Sequence, residues 1–477
     1  MTCRQWKYNT RLLITLVVLW PTVVSHATTD RPPNIVFILV DDLGWNELGC
    51  YGDSFFETPH LDRLAAQGMR FTNAYAPSPI CSSSRAAFLT GRSPARLGFE
   101  FVIQSKNSGP EVPNAPLLTP PYAEQLALDE VTIGEALQEA GYVTGFFGKW
   151  HVNQHHQGYL GWSPTHGPLA QGFLFGDVDR GSHPYTYSDR GFGDFQSGEY
   201  PPHAMTEKAI DFLKNNKGRP MLLYYSSYYV HNPVHTRCKW LYDKFADKPD
   251  ATGAPADRAM YGAFVAMMDH YIGQLLGSLD ELGLSENTVV IFTSDNGGSP
   301  AYHFRSVLRG SKWNLYEGGI RVPLIVRWPA AIQSATVCDI PVAGMDIFPT
   351  ICQLAGVAPA ENRPLDGVSI VPLLRDASGK GWNRDTLYWH FPYYIRRVDT
   401  RPQSAIRQGD WKLIYHYEDH RVELYNLAND IGEKIQRRWD QPEKVQLLRE
   451  ALARYLKSVE ARMPTPNPEY DPDRGAL

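Results

Sequence analysis

The sequence has few cysteines, and no spacing among them resembles a zinc site. The six are Cys3, Cys50, Cys81, Cys238, Cys338 and Cys352. If the chain is exported, disulfides are permitted, but spacing alone does not determine which cysteines would pair.

The chain also lacks a strong net charge, internal repeats and low-complexity segments. A formal net charge of −5 over 477 residues argues against nucleic acid as a partner. Hydrophobic residues make up 43% of the chain and charged residues 20%, which is ordinary for a soluble globular protein. The length exceeds what one small domain needs.

The sequence has no apolar run long enough to span a membrane. A shorter apolar run lies near the start of the chain. A basic segment over 4–11 precedes an apolar segment over 12–19, and Ser25-His26-Ala27 offers a small-residue cleavage site. A membrane anchor would need a longer apolar run than this one, which Pro21 interrupts. We therefore predict a cleaved signal peptide over 1–27, a periplasmic or secreted protein, and no stable membrane insertion.

The rest of the chain alternates between predicted strands and predicted helices. Residues 34–40 form an unbroken apolar run, which is typical of a strand buried on both faces. Further strands are predicted at 69–75, 142–147, 220–228, 288–293 and 324–328, and helices at 59–67, 132–140, 205–213, 257–283 and 345–354. This alternation predicts an α/β fold, with a large, mostly parallel mixed sheet sandwiched by helices.

The pattern changes after about residue 380. Residues 405–410, 411–417 and 422–425 read as antiparallel strands, and 442–463 as a final amphipathic helix. We predict a catalytic domain over 28–378 and a smaller C-terminal α+β domain, an antiparallel sheet plus a helix, over 379–477.

Polar residues follow several of the predicted strands. Each is ambiguous alone: adjacent aspartates after a strand fit either a turn or hard-cation ligands, and a lysine two residues from a histidine is often solvated. In parallel sheets, however, functional sites lie beyond the carboxyl ends of the strands. The residues in such positions are Asp41, Asp42, Lys149, His151, His231, Asp295 and Asn296.

One stretch, over 81–92, places Cys81 ahead of three serines, Arg85 and a short apolar run that ends in Thr-Gly-Arg. Serines are good N-cap residues, so Cys81 is expected at or just before a helix N-terminus, which suits an anionic ligand. A buried structural cysteine beside a capped helix is the alternative reading.

The spacing Cys81-x-Ser83-x-Arg85 followed by Leu-Thr-Gly-Arg resembles the sulfatase signature, in which the third position is most often proline. Other segments resemble the same family, in the same order along the chain: Val-Asp41-Asp42-Leu-Gly, Gly-Lys149-Trp-His151, His231-Asn-Pro, Thr-Ser-Asp295-Asn296-Gly-Gly, Lys312, Glu-Gly-Gly-Ile-Arg-Val-Pro and the C-terminal Arg-Gln-Gly-Asp-Trp-Lys. Together they resemble a type I (formylglycine-dependent) sulfatase of the alkaline-phosphatase superfamily.

This resemblance implies a metal site and a modified nucleophile. Cys81 would be oxidised to Cα-formylglycine (3-oxoalanine) by a formylglycine-generating maturation enzyme, and the hydrated aldehyde would attack sulfur. One Ca²⁺ per chain would be held by oxygens from Asp41, Asp42, Asp295, Asn296 and the residue derived from Cys81, since hard cations prefer oxygen.

The resemblance also implies roles for the remaining polar residues. Arg85 and Lys149 would hold the hydrate and the sulfate oxygens, and His151 would deprotonate the hydrate so that sulfate leaves. His231, with Lys312 beside it, would protonate the leaving oxygen. His235 is close enough in sequence to compete with His231 for that role.

The substrate is less defined by the sequence. Residues 155–202 are long, aromatic and without clear period, which favours a substrate-facing lobe over disorder, although the aromatics could instead only pack on one another. With export, this favours a sulfated carbohydrate, from a polysaccharide, and His303 and Arg305 could add to the pocket rim. The alternatives are a formylglycine-dependent phosphonate or phosphodiester hydrolase and a secreted pseudoenzyme that binds sulfated glycans.

Overall fold

The structure is a computed structural model that describes residues 1–2, 31–103, 114–251, 257–303, 306–358 and 362–474. The predicted signal peptide therefore lies outside the described residues, apart from its first two. In the part of the chain that is described, no helix combines the length and apolarity needed to cross a membrane.

The strands follow the predicted positions closely, with several short additions. In chain order, those of the described residues are β1 (Asn34–Val40), β2 (Met69–Phe71), β3 (Ala74–Tyr75), β4 (Leu117–Leu118), β5 (Val143–Gly148), β6 (Phe175–Asp177), β7 (Met221–Ser226), β8 (Thr288–Ser294), β9 (Leu324–Arg327), β10 (Thr336–Cys338), β11 (Val342–Ala343), β12 (Thr386–Phe391), β13 (Gln403–Gln408), β14 (Trp411–His416), β15 (Val422–Asn426) and β16 (Thr465–Pro466).

The α-helices fall between these strands. In the described segments they are α1 (Pro59–Gln67), α2 (Cys81–Thr90), α3 (Pro94–Leu97), α4 (Ile133–Glu139), α5 (Ala204–Asn216), α6 (Lys239–Ala246), α7 (Arg258–Glu281), α8 (Glu317–Ile320), α9 (Ile347–Ala355), α10 (Val371–Arg375) and α11 (Pro442–Ser458).

A mixed, mostly parallel sheet of eight strands forms the centre, in the order β10-β2-β9-β8-β1-β7-β5-β6. β8, β1, β7, β5 and β6 run parallel to one another, and only β9 is antiparallel to both of its neighbours. The predicted α/β fold is confirmed. Because the parallel strands share a direction, their carboxyl ends open onto one edge of the sheet.

The central strand β1 is buried on both faces, as its unbroken apolar run predicted. Val36, Ile38 and Val40 belong to a core that includes residues of α1, α5, α6 and α7. The alternate residues, such as Phe37, belong to a second core with residues of α2, α4, α9 and α10. Each face of the sheet is therefore covered, which is why these strands lack polar alternation.

The segment 155–202 contributes one element that the sequence pattern did not predict. Its residues Phe175–Asp177 form β6, which pairs in parallel with β5 at the edge of the sheet. Apart from two single 3₁₀ turns, Pro168–Ala170 and Pro184–Thr186, the rest of this segment is irregular, and its aromatic rings pack on one another and on strand-end residues.

A second, antiparallel sheet follows, in the order β12-β13-β14-β15. β13 to β15 match the predicted strands, whereas β12 was not predicted. α11 packs its buried residues Leu448, Leu452 and Leu456 on this sheet, and it ends at Ser458, earlier than the pattern predicted. The smaller α+β unit is thus confirmed in architecture, while its proposed boundary at 378/379 stays a prediction.

A buried ion network joins the two sheets. Lys412 Nζ on β14 lies 2.9 Å from Glu317 Oε1 and 2.9 Å from Glu433 Oε1. The other oxygen of Glu317 accepts from Tyr75 Oη at 2.7 Å and from Arg321 Nη1 at 3.0 Å. Because Glu317 begins α8 directly after the loop that carries Lys312, this network, here called the inter-sheet cluster, anchors that loop to the second sheet.

Candidate active site

Four neighbouring parallel strands place polar residues at one edge of the sheet, as the sequence predicted. β1 leads into Asp41 and Asp42, β5 into Lys149 and His151, β7 into the turn with His231, and β8 into Asp295 and Asn296. All of these except His231 have less than 4% of their surface exposed. Side-chain contacts, described below, connect them to Cys81, Arg85 and Lys312.

Cys81 is the first residue of α2, and it is 1% exposed. Our prediction that the serines cap this helix is wrong: Ile80 occupies the N-cap position, with no side-chain cap. The serines instead bind neighbouring segments, since Ser82 Oγ accepts from the Ile103 amide at 3.2 Å and Ser84 Oγ donates to Ser78 O at 2.9 Å. These bonds fix the start of the helix against two loops, so the position of Cys81 is set by packing.

Arg85 lies one turn into α2 and organises the centre of the site. Its Nε and Nη2 atoms lie 2.8 and 2.7 Å from Asp295 Oδ2. Its Nη1 donates to Lys149 O at 2.8 Å and to Ser226 Oγ at 2.6 Å. One buried guanidinium therefore ties α2 to the ends of β5, β7 and β8.

Two lysines pair with the aspartates that follow β1. Lys149 Nζ lies 2.5 Å from Asp41 Oδ2, and Lys312 Nζ lies 2.7 Å from Asp42 Oδ1. Burial alone would raise the pKa of Asp41, but the nearby charges of Lys149, His231 and Arg85 lower it well below its usual value. Asp41 is therefore ionised at neutral pH, as a metal ligand has to be.

The ring of His151 has a defined tautomer. Its Nε2 lies 3.2 Å from Ile103 O, and a carbonyl can only accept, so Nε2 carries the proton. The unprotonated Nδ1 then faces Cys81 Sγ at 3.4 Å. Burial and the nearby Lys149 lower the pKa of His151 well below its usual value, so the ring is neutral and can accept a proton from residue 81.

His231 is held from behind by residues that the motifs did not identify. Its Nδ1 lies 2.6 Å from Asn232 O and 2.8 Å from Tyr185 Oη, and its backbone carbonyl accepts from His183 Nε2 at 3.0 Å. Nε2 is thereby directed toward Asp42 Oδ2, 3.8 Å away. Tyr185 could have been found only as one aromatic residue among many in 155–202.

Three of the non-glycine residues with positive φ lie at this site. Asp42 has a φ of 64°, His151 a φ of 58° and Trp313, next to Lys312, a φ of 86°. Non-glycine residues in this left-handed region are strained and recur at functional sites. The surrounding hydrogen bonds and ion pairs hold them in place.

The oxygen atoms at the centre fit a hard divalent cation. Asp41 Oδ1 and Asn296 Oδ1 are buried, and neither has a hydrogen-bond partner among the residues that the structure describes. Asn296 Nδ2 donates to Asp42 Oδ1 at 2.8 Å, which directs its own oxygen away from that carboxylate. Buried acceptors without donors are costly, and an oxygen-binding cation such as Ca²⁺ would satisfy both.

Other residues singled out from the sequence lie elsewhere. His235 does not contact the ion pairs: its ring packs on Tyr187 and Phe192, and its Nε2 lies 2.7 Å from Arg190 O. Placing His303 on the pocket rim is wrong, because it is buried and pairs with Glu47 at 3.0 Å. Arg305 lies outside the described residues.

The described cysteines are all free thiols, namely Cys50, Cys81, Cys238, Cys338 and Cys352.

Comparison with known families matches almost the whole chain to two models. The family model described as Sulfatase matches residues 33–357, and the one described as N-sulphoglucosamine sulphohydrolase, C-terminal, matches residues 311–462.

Several curated relatives are about one third identical. The chain is 35% identical to arylsulfatase A of Homo sapiens over 412 residues, which cover 80% of this chain and 74% of the relative. It is 34% identical to N-acetylgalactosamine-6-sulfatase of Canis lupus familiaris, over 75% of this chain and 69% of the relative. It is 32% identical to a sulfatase of Formosa agariphila, over 91% of this chain and 90% of the relative.

Solved structures of similar fold include Ps i-CgsB in complex with k-i-k-neocarrahexaose. That structure gives a TM-score of 0.71 at 26% identity and covers 89% of this chain and 93% of its own. A phosphonate monoester hydrolase of Agrobacterium radiobacter gives a TM-score of 0.65 at 21% identity, over 90% of this chain and 95% of its own, which is a likeness of fold alone.

Proposed function

Because this chain belongs to the sulfatase family, the type I sulfatases of the alkaline-phosphatase superfamily that hydrolyse sulfate esters, we propose that its substrate is a sulfated carbohydrate. We further propose that it uses a formylglycine derived from Cys81 and one Ca²⁺. The observation that carries this proposal is the site itself, where Cys81 faces the His151 base among buried carboxylate, lysine and arginine side chains.

The chemistry of Cys81 supports modification. Burial raises the pKa of its thiol, even though Lys149 and Lys312 act in the opposite direction. A neutral thiol is a poor nucleophile at pH 7, so an unmodified Cys81 would be poorly suited to attack sulfur. Formylglycine at this position would supply a hydrated aldehyde as the nucleophile, produced by a maturation enzyme that acts on this chain.

The residues that would hold Ca²⁺ are Asp41, Asp42, Asp295 and Asn296, together with residue 81. The cation would neutralise the charge of the sulfate oxygens and lower the pKa of the nucleophile. Two observations support this proposal. Among the described residues, Asp41 Oδ1 and Asn296 Oδ1 are buried without a hydrogen-bond partner, and Arg85 pairs with Asp295 Oδ2, which holds that carboxylate in place.

The proton acceptor for the sulfate-releasing step would be His151. Its Nδ1 is the unprotonated nitrogen, and it points at residue 81 from 3.4 Å. Arg85 and Lys149 lie on the same side of the site, where their fixed positive charges would orient sulfate oxygens.

The proton for the leaving oxygen would come from the pair formed by His231 and Lys312. Burial lowers the pKa of His231 to about 4, so its ring is neutral in the substrate-free protein. Burial also acts to lower the pKa of Lys312, but Asp42 and Cys81 raise it well above its usual value. Lys312 therefore carries the proton, and His231 Nε2 lies against the same carboxylate, Asp42.

The aromatic lobe supports a carbohydrate as substrate. Exposed and half-buried rings from 155–202 stand beside both catalytic histidines, and aromatic faces are suited to stack on sugar rings. Relatives of similar identity include a sulfatase of N-acetylgalactosamine, and a structural neighbour at 26% identity was solved with a carrageenan oligosaccharide. We also propose export through residues 1–27, which would bring the enzyme to such glycans.

The test is hydrolysis of three probes by protein from a maturation-competent host, measured as sulfate release for the sulfated probes and as 4-nitrophenol release for the aryl esters. The probes are a set of sulfated oligosaccharides, 4-nitrophenyl sulfate and a 4-nitrophenyl phosphonate ester, and Cys81→Ala is the control variant. We expect a sulfated oligosaccharide to give the highest kcat/KM, with no release by Cys81→Ala.

Each alternative predicts a different result. Faster hydrolysis of the phosphonate ester than of any sulfate would support the phosphonate hydrolase. Binding of sulfated glycans without release, by protein whose Cys81 has been converted, would support the pseudoenzyme. A strong preference for the aryl sulfate over every glycan would contradict the carbohydrate proposal.

A further inference from the structure

A continuous wall of rings connects the two catalytic histidines. The ring of His151 lies 5.7 Å from that of His155, which in turn lies 4.9 Å from Tyr159. Tyr159 lies 5.5 Å from Tyr185, whose hydroxyl contacts His231. The wall, defined as His155, Tyr159 and Tyr185, therefore flanks the space between the proton acceptor and the leaving-group side.

Arg180 lies in this wall, between its two tyrosines. Its guanidinium carbon lies 5.6 Å from the centre of the Tyr185 ring, and its Nη2 donates to the backbone carbonyl of Tyr159. Tyr159 is 45% exposed, so the arginine stands beside an open ring at the entrance to the site.

The charge of Arg180 is not neutralised by a carboxylate. Among the described residues, no carboxylate oxygen comes within 4 Å of its guanidinium nitrogens. The two acidic residues just before it are occupied elsewhere, since Lys208 Nζ lies 2.8 Å from Asp177 and 3.1 Å from Asp179. A half-buried guanidinium that is held by a carbonyl, a ring and the Tyr228 hydroxyl, and has five N–H donors, keeps donors for an external anion.

We propose that Arg180 is a specificity residue that binds a second anionic group of the glycan, a carboxylate or a further sulfate, beyond the sulfate that is cleaved. This inference rests on the proposed function. The scissile sulfate belongs to the lysines and Arg85 at the centre, whereas Arg180 lies outside His151 and His231. A sugar stacked on Tyr159 would bring its next charged substituent within reach of this guanidinium.

Binding can be measured in the Cys81→Ala background, where no hydrolysis occurs. The probes are a chondroitin 6-sulfate tetrasaccharide, the same tetrasaccharide without sulfate, and a carrageenan tetrasaccharide, which has sulfates but no carboxylates. Calorimetric Kd values are compared for Cys81→Ala alone and combined with Arg180→Gln, Arg180→Lys or, as a control, Lys214→Gln at an exposed lysine in the last turn of α5.

We expect Arg180→Gln to weaken binding of at least one anionic probe by about tenfold or more, as loss of a charge-assisted hydrogen bond predicts. Arg180→Lys should restore part of the affinity, and Lys214→Gln should change nothing. Loss with a sulfated probe but not with the desulfated one would identify a sulfate, and loss with the desulfated probe would identify a carboxylate.

A second readout separates recognition from support of the fold. Hydrolysis of 4-nitrophenyl sulfate by Arg180→Gln, with Cys81 intact, should match the wild type, because this small substrate has no second anion. The inference would be overturned if Arg180→Gln left the Kd of every anionic probe unchanged. It would also be overturned if Arg180→Gln slowed hydrolysis of 4-nitrophenyl sulfate as much as it weakened glycan binding. Absence of sulfate release from every substrate by the wild type would instead contradict the proposed function.

Discussion

Two buried charge clusters lie in this protein, and they are built differently. In the inter-sheet cluster, each oxygen of Glu317 and Glu433 lies within about 3.0 Å of a donor on Lys412, Arg321, Tyr75 or a backbone amide, although Glu433 Oε1 is held, among the described residues, by the Lys412 ion pair alone, without hydrogen-bond geometry. At the active site, Asp41 Oδ1 and Asn296 Oδ1 are equally buried, but no donor in the described part of the chain hydrogen-bonds to either.

This difference distinguishes a structural cluster from a catalytic one. Buried charges stabilise a fold only when their hydrogen bonds are nearly complete. A catalytic site must instead keep oxygens free for groups that the chain does not itself supply. The inter-sheet cluster is expected to govern stability, and the active-site cluster to govern turnover.

The largest expected effect comes from Asp295→Asn at the active site. Removing this charge would weaken the proposed cation site, and a bound cation is worth several kcal/mol of catalysis, so kcat/KM should fall by about 10³-fold or more. The chemical-denaturation midpoint should fall as well, since the amide keeps the shape of the carboxylate but leaves the buried Arg85 guanidinium without its nearest counter-charge. Asp177→Asn, at an exposed ion pair near the same sheet edge, is the control and should keep full activity.

The proposed difference between the two clusters would be wrong if Asp295→Asn unfolded the protein while leaving the specific activity of the folded fraction unchanged. Both clusters would then be structural.

The converse change is Lys412→Met in the inter-sheet cluster. It leaves two buried carboxylates without their shared cation, and should lower the free energy of unfolding by about 3–5 kcal/mol, measured by urea titration. Adding Glu317→Gln should recover part of that loss, since one uncompensated charge disappears. A fully stable but inactive Lys412→Met protein would mean that this cluster acts in catalysis.

Calcium should separate the clusters with a smaller effect. A cation that binds only the folded protein stabilises it by about 2.7 kcal/mol at a hundredfold excess over its Kd. The thermal midpoint should therefore rise with added Ca²⁺ and fall with a chelator, and Asn296→Ala should abolish this response. Lys412→Met, although less stable, should show the same calcium-induced rise in thermal midpoint as the wild type. If Lys412→Met lost that rise, the cation would bind at a place other than the active site.

The smallest expected effect is that of Ser83→Pro. Ser83 is the third residue of α2, where backbone N–H groups lack intrahelical partners, and its hydroxyl makes only a long contact of 3.4 Å with Phe101 O. We expect a change of less than about 1 kcal/mol in the free energy of unfolding. Ala87→Pro, in the helix interior, should cost about 3 kcal/mol or more; similar losses for both would show that the first turn is also constrained.

Much of the fold was predictable because its strands are buried on both faces. The apolar run at β1 and the polar residues after β1, β5 and β8 predicted both the sheet and the edge where the site forms. Short edge elements such as β6 and β12 were missed, because their stability comes from neighbouring strands rather than from a pattern of their own.

The site was predictable where a motif places several residues close together, as around Cys81 or Asp295. The sequence could not indicate that Tyr185 holds His231, because that contact joins a loop without periodicity to a strand end 46 residues away. The sequence also could not show that His303 is buried against Glu47, because a lone histidine in that segment fits a buried position as well as one on the pocket rim.

The central claim is tested most directly by the mass of the peptide that contains Cys81, from protein that releases sulfate. The account predicts that the thiol has been replaced by an aldehyde, and that the unconverted fraction is inactive. An intact thiol in a preparation that hydrolyses sulfate esters at full rate would contradict it.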